Sequence, residues 1–344
     1  MVYYKADQSG VAMFATEFHR ILQLGSRNLL LLGVFLALAL GVRAPLSQDV
    51  LHAFNFTTPL VAVIFMAQGL NIDVSHANRL KDYLKLIIAG ALLAIVLYPA
   101  LAYVFASLFS LTNDFALGFI LICCFPNSLE AAMAMSMSAS GDRITAVVLL
   151  VGLCLIGIVS IPLNIYLYIG GTEHISAGMI LLKIIGYVFV PIAIGQLLRY
   201  FFPKLPQRAT LVSHYIPIFC LSALVYLACS REAVALHDIT VGELAHTLFP
   251  SASLHLLMIF LALFVGKYIL MLTKADNRSF IFITSEKPMS LSVALWSVTY
   301  ATTHPTSIFP ILVFYIAQMI IDSFIISRLK INDMPSAGKN NTHH

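Results

Sequence analysis

Long apolar stretches separated by short polar joints run through almost the whole chain. Hydrophobic residues make up 60% of the 344 positions and charged residues only 10%, against about 25% charged in an average soluble domain. A soluble protein of this length needs more charge to cover its surface, so the composition excludes a water-soluble enzyme, a disordered chain and a nucleic-acid-binding protein. Because one helix crosses a bilayer with about 20 apolar residues, the composition predicts a polytopic membrane protein with about ten spans.

Polar, proline-rich and glycine-rich joints divide these stretches into predicted membrane-spanning helices, which we number in chain order as spans 1 to 10. They lie near residues 28–44, 55–72, 83–109, 115–139, 143–169, 177–201, 211–229, 246–273, 279–300 and 305–328.

Lysine and arginine are distributed unequally between the two sides that these spans define. Of the 20 Lys and Arg residues, Arg43, Lys183 and Arg231 fall toward one side, Lys267 and Lys287 fall within spans, and the other 15 lie on the opposite side. Lys and Arg accumulate on the cytoplasmic side because they resist translocation. The distribution predicts an integral protein of a plasma membrane or a bacterial inner membrane. Both termini, residues 1–27 and 329–344, are then cytoplasmic.

The two halves of the chain, residues 28–170 and 177–328, match span by span. Spans 4 and 9, and spans 5 and 10, agree most closely. Each half has an odd number of spans, so the second half enters the membrane with the opposite orientation. Inverted repeats of this kind are typical of secondary transporters. The predicted fold is therefore all-α, with ten transmembrane helices arranged as two inverted five-helix repeats.

Spans 4 and 9 are each interrupted by a proline among polar and charged residues. Pro126 and Pro288 remove a backbone donor and disfavour helix at the preceding residue. Non-helical backbone within a bilayer needs partners from protein or from a water-filled cavity, and paired breaks in inverted halves are typical of substrate sites at the midplane. The candidate substrate- or ion-binding residues around the breaks are Asn127, Ser128, Glu130, Thr284, Ser285, Glu286, Lys287 and Ser290.

Other polar side chains within the spans are weaker candidates. Gln318 and Asp322 lie one helical turn apart on span 10, and Gln318 joins the candidate site because their common face can lie beside span 9. His255 is interpreted as a hydrogen-bonded core histidine, and Lys267 as a lysine whose amine extends to the membrane surface. The five cysteines show no metal-ligand spacing, and no catalytic Ser/His, paired-Asp or HExxH arrangement indicates an enzyme. Neither a metal centre nor a cofactor is predicted.

Several short motifs occur in an order that resembles the bile acid:sodium symporter superfamily over nearly the whole chain. Within it, the chain is similar to the sodium-bile-acid-symporter-like branch that includes the seventh member of solute carrier family 10. The motifs are Phe65-Met-Ala-Gln-Gly-Leu70, Pro191-Ile-Ala-Ile-Gly-Gln-Leu-Leu-Arg199, the Pro126 break followed by Ser140-Gly-Asp142, Ser285-Glu-Lys-Pro-Met-Ser-Leu291, and Ala317-Gln318. The resemblance implies a core domain of spans 3–5 and 8–10, with spans 4 and 9 broken and crossing, and a panel domain of spans 1, 2, 6 and 7.

The resemblance also implies sodium coupling, and the chain departs from it at the two breaks. In sodium-coupled members, a Ser-Asn pair after the span 4 break and a Glu and a Gln around the span 9 break coordinate sodium. Here the region after Pro126 offers Glu130-Ala-Ala132, and span 9 offers Glu286 and Lys287. A lysine can replace a bound cation at the ends of broken helices, or it can bind and release a proton. Na+ and H+ therefore both stay open as coupling ions.

These features predict a secondary active transporter that works by alternating access in the lipid bilayer, without a nucleic-acid partner. A small organic anion is the expected substrate, because Lys287 and the helix N-termini at the breaks favour negative charge. Glu130 and Glu286 would then couple transport or balance charge. A cation/proton antiporter remains open, and so does a membrane regulator that itself transports nothing. The sequence leaves the substrate, the direction of transport and the oligomeric state open.

Overall fold

The described part of the chain is helical and contains no β-strand. The computed structural model describes residues 32–47, 56–71, 81–128, 131–170, 185–203, 210–231 and 240–333, together with positions 178, 182 and 233. Four helices are long and apolar enough to cross a membrane: Leu84–Leu108, Arg143–Tyr168, Val241–Ile269 and Pro305–Leu329. The all-α class predicted from the sequence is confirmed.

We number the described helices in chain order. The first half contains α1 (Leu32–Arg43), α2 (Thr57–Asn71), α3 (Leu84–Leu108), α4 (Asn113–Cys123), α5 (Ala131–Ser138) and α6 (Arg143–Tyr168). The second half contains α7 (Ile185–Phe201), α8 (Thr210–Arg231), α9 (Val241–Ile269), α10 (Lys274–Ser285), α11 (Met289–Thr299) and α12 (Ile308–Asp333). Predicted span 4 thus corresponds to α4 and α5, and predicted span 9 to α10 and α11.

Helices α1, α2 and α8 and most of α7 form one compact unit. Helices α2 and α7 approach closely through two glycines. A Cβ atom at Gly195 would lie 2.2 Å from the carbonyl oxygen of Met66, and one at Gly69 would lie 2.2 Å from that of Ile192. The side chain of Gln196 donates to the carbonyl of Gly69. Two motifs on which the family resemblance depends therefore pack directly against each other, as small residues allow in membrane helices.

Helices α3 to α6 and α9 to α12 form a second compact unit that contains both interrupted spans. Aromatic side chains fill much of its interior; Phe119 and Phe314 meet edge to face with ring centroids 5.7 Å apart. The outward positions are also apolar, with Val159 70% and Phe260 60% exposed. Helices that are apolar on all sides are typical of proteins surrounded by lipid.

The two interrupted spans are anchored by a contact that occurs twice, once in each half. Asp276, in the first turn of α10, accepts a hydrogen bond of 2.6 Å from the hydroxyl of Thr145 at the start of α6. Asp114, in the first turn of α4, accepts one of 2.6 Å from the hydroxyl of Thr306 just before α12. Each interrupted span is thereby tied to the helix that follows its counterpart.

Candidate functional site

The first part of the site is the non-helical stretch that follows α4. Pro126 lies in this stretch, and Asn127 and Ser128 beside it are buried. The backbone N–H of Ser128 donates to the carbonyl of Glu286 at 3.1 Å, so the two breaks are joined through the backbone. The hydroxyl of Ser128 accepts a hydrogen bond of 3.2 Å from the N–H of Ala131 at the start of α5. This bond satisfies one of the donors that a helix N-terminus leaves open.

The second part of the site is the extended segment between α10 and α11. Helix α10 ends at Ser285, and Glu286 (φ −73°, ψ 127°) and Pro288 (φ −85°, ψ 109°) adopt extended backbone. The chain leaves the helix here because a proline cannot donate the helical hydrogen bond and disfavours helix at the residue before it. Thr284, Ser285, Glu286 and Lys287 are buried. Four consecutive polar side chains are therefore held at depth where the helix is broken.

The carboxamide of Gln318, on α12, bonds to both backbone and side-chain atoms of this extended segment. Its Oε1 accepts from the N–H of Lys287 at 3.1 Å, and its Nε2 donates to the carbonyl of Lys287 and to the carboxylate of Glu286, each at 2.9 Å. One carboxamide can make all of these bonds because it has two donor hydrogens and an acceptor oxygen. Gln318 thus supplies partners that the broken helix no longer provides.

The side chain of Lys287 extends from the second break into a group of backbone carbonyl oxygens. Its ammonium donates to the carbonyls of Phe125 at 2.7 Å, Ala94 at 2.8 Å and Pro126 at 3.4 Å, and it lies 4.0 Å from the centre of the Tyr98 ring. The side chain is fully buried, and within the described residues the ammonium forms no salt bridge. Carbonyl oxygens are the ligands that hard metal cations prefer. Lys287 therefore places its own positive charge where the surrounding chemistry suits a bound cation.

The carbonyl of Ala94 is available to Lys287 because α3 is locally wound as a π-helix. This segment covers Leu92–Leu97, and the N–H of Tyr98 bonds to the carbonyl of Leu93 instead of that of Ala94. A π-helical segment leaves a carbonyl without its usual helical donor and is frequently found at functional sites. In the described structure, the ammonium of Lys287 donates a hydrogen bond to that carbonyl.

Pro99, which follows the π-helical segment, is the sequence signal for this third interruption of a helix backbone. It cannot donate to the carbonyl of Ile95, and Asn164 of α6 donates to that carbonyl instead at 2.9 Å. Proline within a membrane helix needs such replacement partners. The residues around this interruption, Ala94 and Tyr98, were not among the predicted site residues.

A second buried polar group adjoins Lys287. Tyr98 places its hydroxyl 3.3 Å from Nδ1 of His255 on α9, and Nε2 of His255 lies 3.0 Å from Oδ1 of Asp322 on α12. All three side chains are fully buried. This geometry agrees with the interpretation of His255 as a hydrogen-bonded core histidine. Asp322 is its partner, and Gln318 lies one turn earlier on the same helix.

The remaining predicted residues lie in different surroundings. Asn127 accepts a long hydrogen bond of 3.6 Å from the thiol of Cys154. The hydroxyl of Thr284 donates to a carbonyl of its own helix at 2.7 Å. Ser290 is half-buried in the first turn of α11, and Glu130 lies outside the described residues. No group of three or more His, Cys, Asp or Glu side chains suited to a metal ion is found in the described part of the chain.

Comparison with known families shows the class of this chain. Residues 28–331 match the sequence profile of the SBF-like CPA transporter family. The chain belongs to this family. The resemblance drawn from the short motifs is thereby confirmed, and the match covers all the predicted spans and every residue of the site.

Several relatives of this SBF-like CPA transporter are named as cotransporters. "Sodium/bile acid cotransporter 7" of Xenopus tropicalis is 23% identical over 297 residues, which cover 84% of this chain and 85% of the relative. The protein of the same name from Mus musculus is 23% identical over 277 residues, covering 78% and 82%. "Probable sodium/metabolite cotransporter BASS4, chloroplastic" of Arabidopsis thaliana is 22% identical over 326 residues, covering 89% and 73%. The chain is thus an integral membrane protein of a transporter family.

Proposed function

We propose that this protein is a secondary active transporter that carries a small organic anion across the membrane by alternating access. The observation that carries the proposal is the meeting of two interrupted spans around a buried lysine whose ammonium is held by three carbonyl oxygens. Breaking two helices within a membrane and burying a charge there are both unfavourable, and such features are characteristic of substrate and ion pathways. The relatives named as sodium/bile acid and sodium/metabolite cotransporters support the same class.

The proposal includes ten spans arranged as two inverted repeats. The doubled contact between an aspartate and a threonine supports it, because Asp276 with Thr145 and Asp114 with Thr306 are the same interaction with the two halves exchanged. A two-fold axis in the membrane plane between inverted repeats generates such reciprocal pairs. The two compact units hold the helices of spans 3–5 and 8–10 and of spans 1, 2, 6 and 7, and we assign them as the core and panel domains. We assign both termini to the cytoplasm, in a plasma membrane or bacterial inner membrane, from the charge distribution.

Lys287 has two roles in this proposal. First, it supplies a fixed positive charge at the breaks that precede α5 and α11, and helix N-termini favour negative ligands. Second, its ammonium occupies the set of backbone carbonyl oxygens that a coupling sodium would otherwise use. Transport by this protein then does not require sodium at the crossing.

A thermal-shift screen followed by uptake tests the proposal. Purified full-length protein is heated with taurocholate and with small mono- and dicarboxylates, since a ligand that binds the folded state raises the melting temperature. Each ligand that stabilises the protein is then offered to proteoliposomes. We expect one of these anions to accumulate and Lys287→Ala to abolish that accumulation in sodium-free buffer. Sodium-stimulated uptake by the wild type that disappears in Glu286→Gln would contradict the role given to Lys287.

A cation/proton antiporter is the second candidate, and the buried His255 and Asp322 pair favours it because antiporters exchange protons at buried acidic groups. Addition of sodium or potassium to proteoliposomes without any organic anion would then release protons, which a pH-sensitive dye inside the vesicles reports. The organic-anion transporter predicts no proton movement under those conditions.

A further inference from the structure

His255 and Asp322 form a pair that is unusual for its complete burial. Nε2 of His255 lies 3.0 Å from Oδ1 of Asp322, and both side chains have no exposed surface. Within the described residues, Oδ2 of Asp322 has no hydrogen-bond partner, although buried polar atoms are nearly always satisfied. A carboxylate with one unsatisfied oxygen, next to an imidazole, can share an additional proton with that imidazole.

The hydrogen-bond pattern indicates where that proton would bind. An ionised carboxylate only accepts, so Nε2 of His255 carries the hydrogen that it donates to Asp322. In the neutral ring, Nδ1 is then an acceptor and receives the hydroxyl hydrogen of Tyr98 at 3.3 Å. Protonation of Nδ1 would reverse this bond, with the imidazolium donating to the tyrosine oxygen. The charge would be balanced by the carboxylate 3.0 Å away on the other side of the ring.

One additional proton on this pair would balance the buried charges around it. Among the Asp, Glu, Lys, Arg and His side chains that the structure describes, only Glu286, Lys287, Asp322 and His255 are buried. With a neutral imidazole, the two carboxylates and the one ammonium among these described buried side chains leave one negative charge. Buried charge is costly unless it is paired. One proton on the His255 and Asp322 pair removes that excess.

The titratable groups on the neighbouring helices are few. Tyr98 faces His255 from α3, and Cys123 lies within electrostatic range of Tyr98 and Lys287 from α4. Glu286 and Lys287 come from the break between α10 and α11, where Gln318 connects them to the helix that carries Asp322. Described residues of α5 and α11 carry no titratable side chain. The remaining charged groups and the remaining histidine on the packed helices lie toward the helix ends: Lys85 on α3, Asp114 on α4, Arg143 on α6, Glu243, His246 and Lys267 on α9, Lys274, Asp276 and Arg278 on α10, and Arg328, Lys330 and Asp333 on α12.

We propose that His255 and Asp322, with Tyr98, form a proton-binding site of the core. Binding adds one proton to the pair and breaks no covalent bond. The unloaded site leaves the cluster with a negative charge, which disfavours an incoming anion, and the loaded site removes it. If the transport proposed above is correct, the proton bound here is the coupling ion for anion uptake, and the two ligands then stabilise each other's binding.

A pH jump without any organic anion tests the site separately from the transport function. Proteoliposomes that contain the full-length protein are adsorbed to a solid-supported membrane, and the external pH is lowered in sodium-free buffer while the transient current is recorded. We expect the wild type to give a current from protons entering the site, and His255→Gln and Asp322→Asn to lose it. The matched control is His304→Gln, because His304 also pairs with an aspartate, Asp114 at 2.7 Å, but both of these side chains are partly exposed at 17% and 28%.

Retention of the full current in both His255→Gln and Asp322→Asn would overturn the proposal, and so would its equal loss in His304→Gln. A measurement on the wild type alone covers the case in which the variants do not fold. The ring of His255 in protein labelled with 15N-histidine is identified by NMR through its contact with the Phe314 ring, whose centroid is 6.4 Å away. We expect this imidazole to become protonated over the pH range of the current. A ring that stays neutral throughout that range would also overturn the proposal.

The outcome for the site is distinguishable from the outcome for the proposed transport. A current that depends on His255 and Asp322 supports the proton site even if no organic anion accumulates in the vesicles. Anion uptake that is unaffected by either substitution and by pH supports the transport function and refutes the proton site.

Discussion

Substitution of Lys287 by alanine gives the most quantitative test of the lysine's position. The wild-type ammonium makes hydrogen bonds of 2.7 and 2.8 Å to the carbonyls of Phe125 and Ala94. Leaving a buried acceptor without a donor costs about 1–3 kcal/mol, so two such acceptors amount to about 2–6 kcal/mol. The relief of no longer burying an ammonium offsets part of this. We therefore expect the free energy of unfolding to fall, by less than that sum of about 2–6 kcal/mol.

The same substitution should turn the set of backbone carbonyl oxygens around the Lys287 ammonium into a site for a free cation. Sodium that binds only the folded variant stabilises it by about 2.7 kcal/mol when its concentration is 100 times the dissociation constant. We expect sodium to raise the melting temperature of Lys287→Ala but not that of the wild type, when it replaces N-methylglucamine at constant ionic strength.

Lys267→Ala is the matched control, because this lysine also lies within a predicted span but is exposed and stacks on the ring of its neighbour Tyr268 at 4.9 Å. Its loss should change the free energy of unfolding by about 0.5 kcal/mol or less. The assay is denaturant and thermal unfolding of purified protein in detergent. The position given to the Lys287 ammonium is refuted if Lys287→Ala is as stable as Lys267→Ala, or if sodium raises the melting temperatures of wild type and Lys287→Ala equally.

Three further predictions concern the packing around the site. Gln318→Leu should lower the free energy of unfolding by about 2–4 kcal/mol, because it leaves buried backbone groups at the second break unpaired, and it should also abolish uptake; wild-type uptake in this variant would show that the Gln318 carboxamide is dispensable. Asn164→Leu should cost about 1–2 kcal/mol through the unpaired carbonyl of Ile95, measured by denaturant unfolding, and an unchanged midpoint would contradict this. Gly195→Ala should cost about 1–3 kcal/mol because its Cβ atom meets backbone. Gly186→Ala on the same helix, where nothing lies within 4 Å, should be neutral or stabilising by up to about 1 kcal/mol, and equal melting temperatures for the two variants would argue against the close crossing.

The breaks and the lysine were accessible from the sequence because they violate strong rules of membrane helices. Pro126 and Pro288 are helix-breaking residues within apolar spans, and Lys287 is a charge that a bilayer disfavours. Helix ends were also predictable where a capping side chain is present. Asp142, which caps α6 through a hydrogen bond of 2.7 Å to the N–H of Thr145, stands at the joint from which span 5 was predicted to begin.

The partners of the lysine were not predictable in the same way. The ammonium contacts backbone carbonyls of Ala94 and Phe125, and a backbone atom leaves no mark in the identity of its residue. The pairing of His255 with Asp322 depends on how α9 packs against α12. One sequence places each residue on its helix, but it does not specify which faces meet, and an isolated histidine in a span is more often part of a packed core than of a proton site.

The sodium dependence of organic-anion uptake tests most directly whether Lys287 takes the place of a coupling cation. Proteoliposomes with wild-type protein or Lys287→Ala are given the anion identified by the thermal-shift screen, in buffer that contains either sodium or N-methylglucamine. We predict that the wild type accumulates the anion equally in both buffers, and that Lys287→Ala loses uptake in the sodium-free buffer. Uptake by the wild type that requires sodium would contradict this role of the lysine, and so would normal sodium-free uptake by Lys287→Ala.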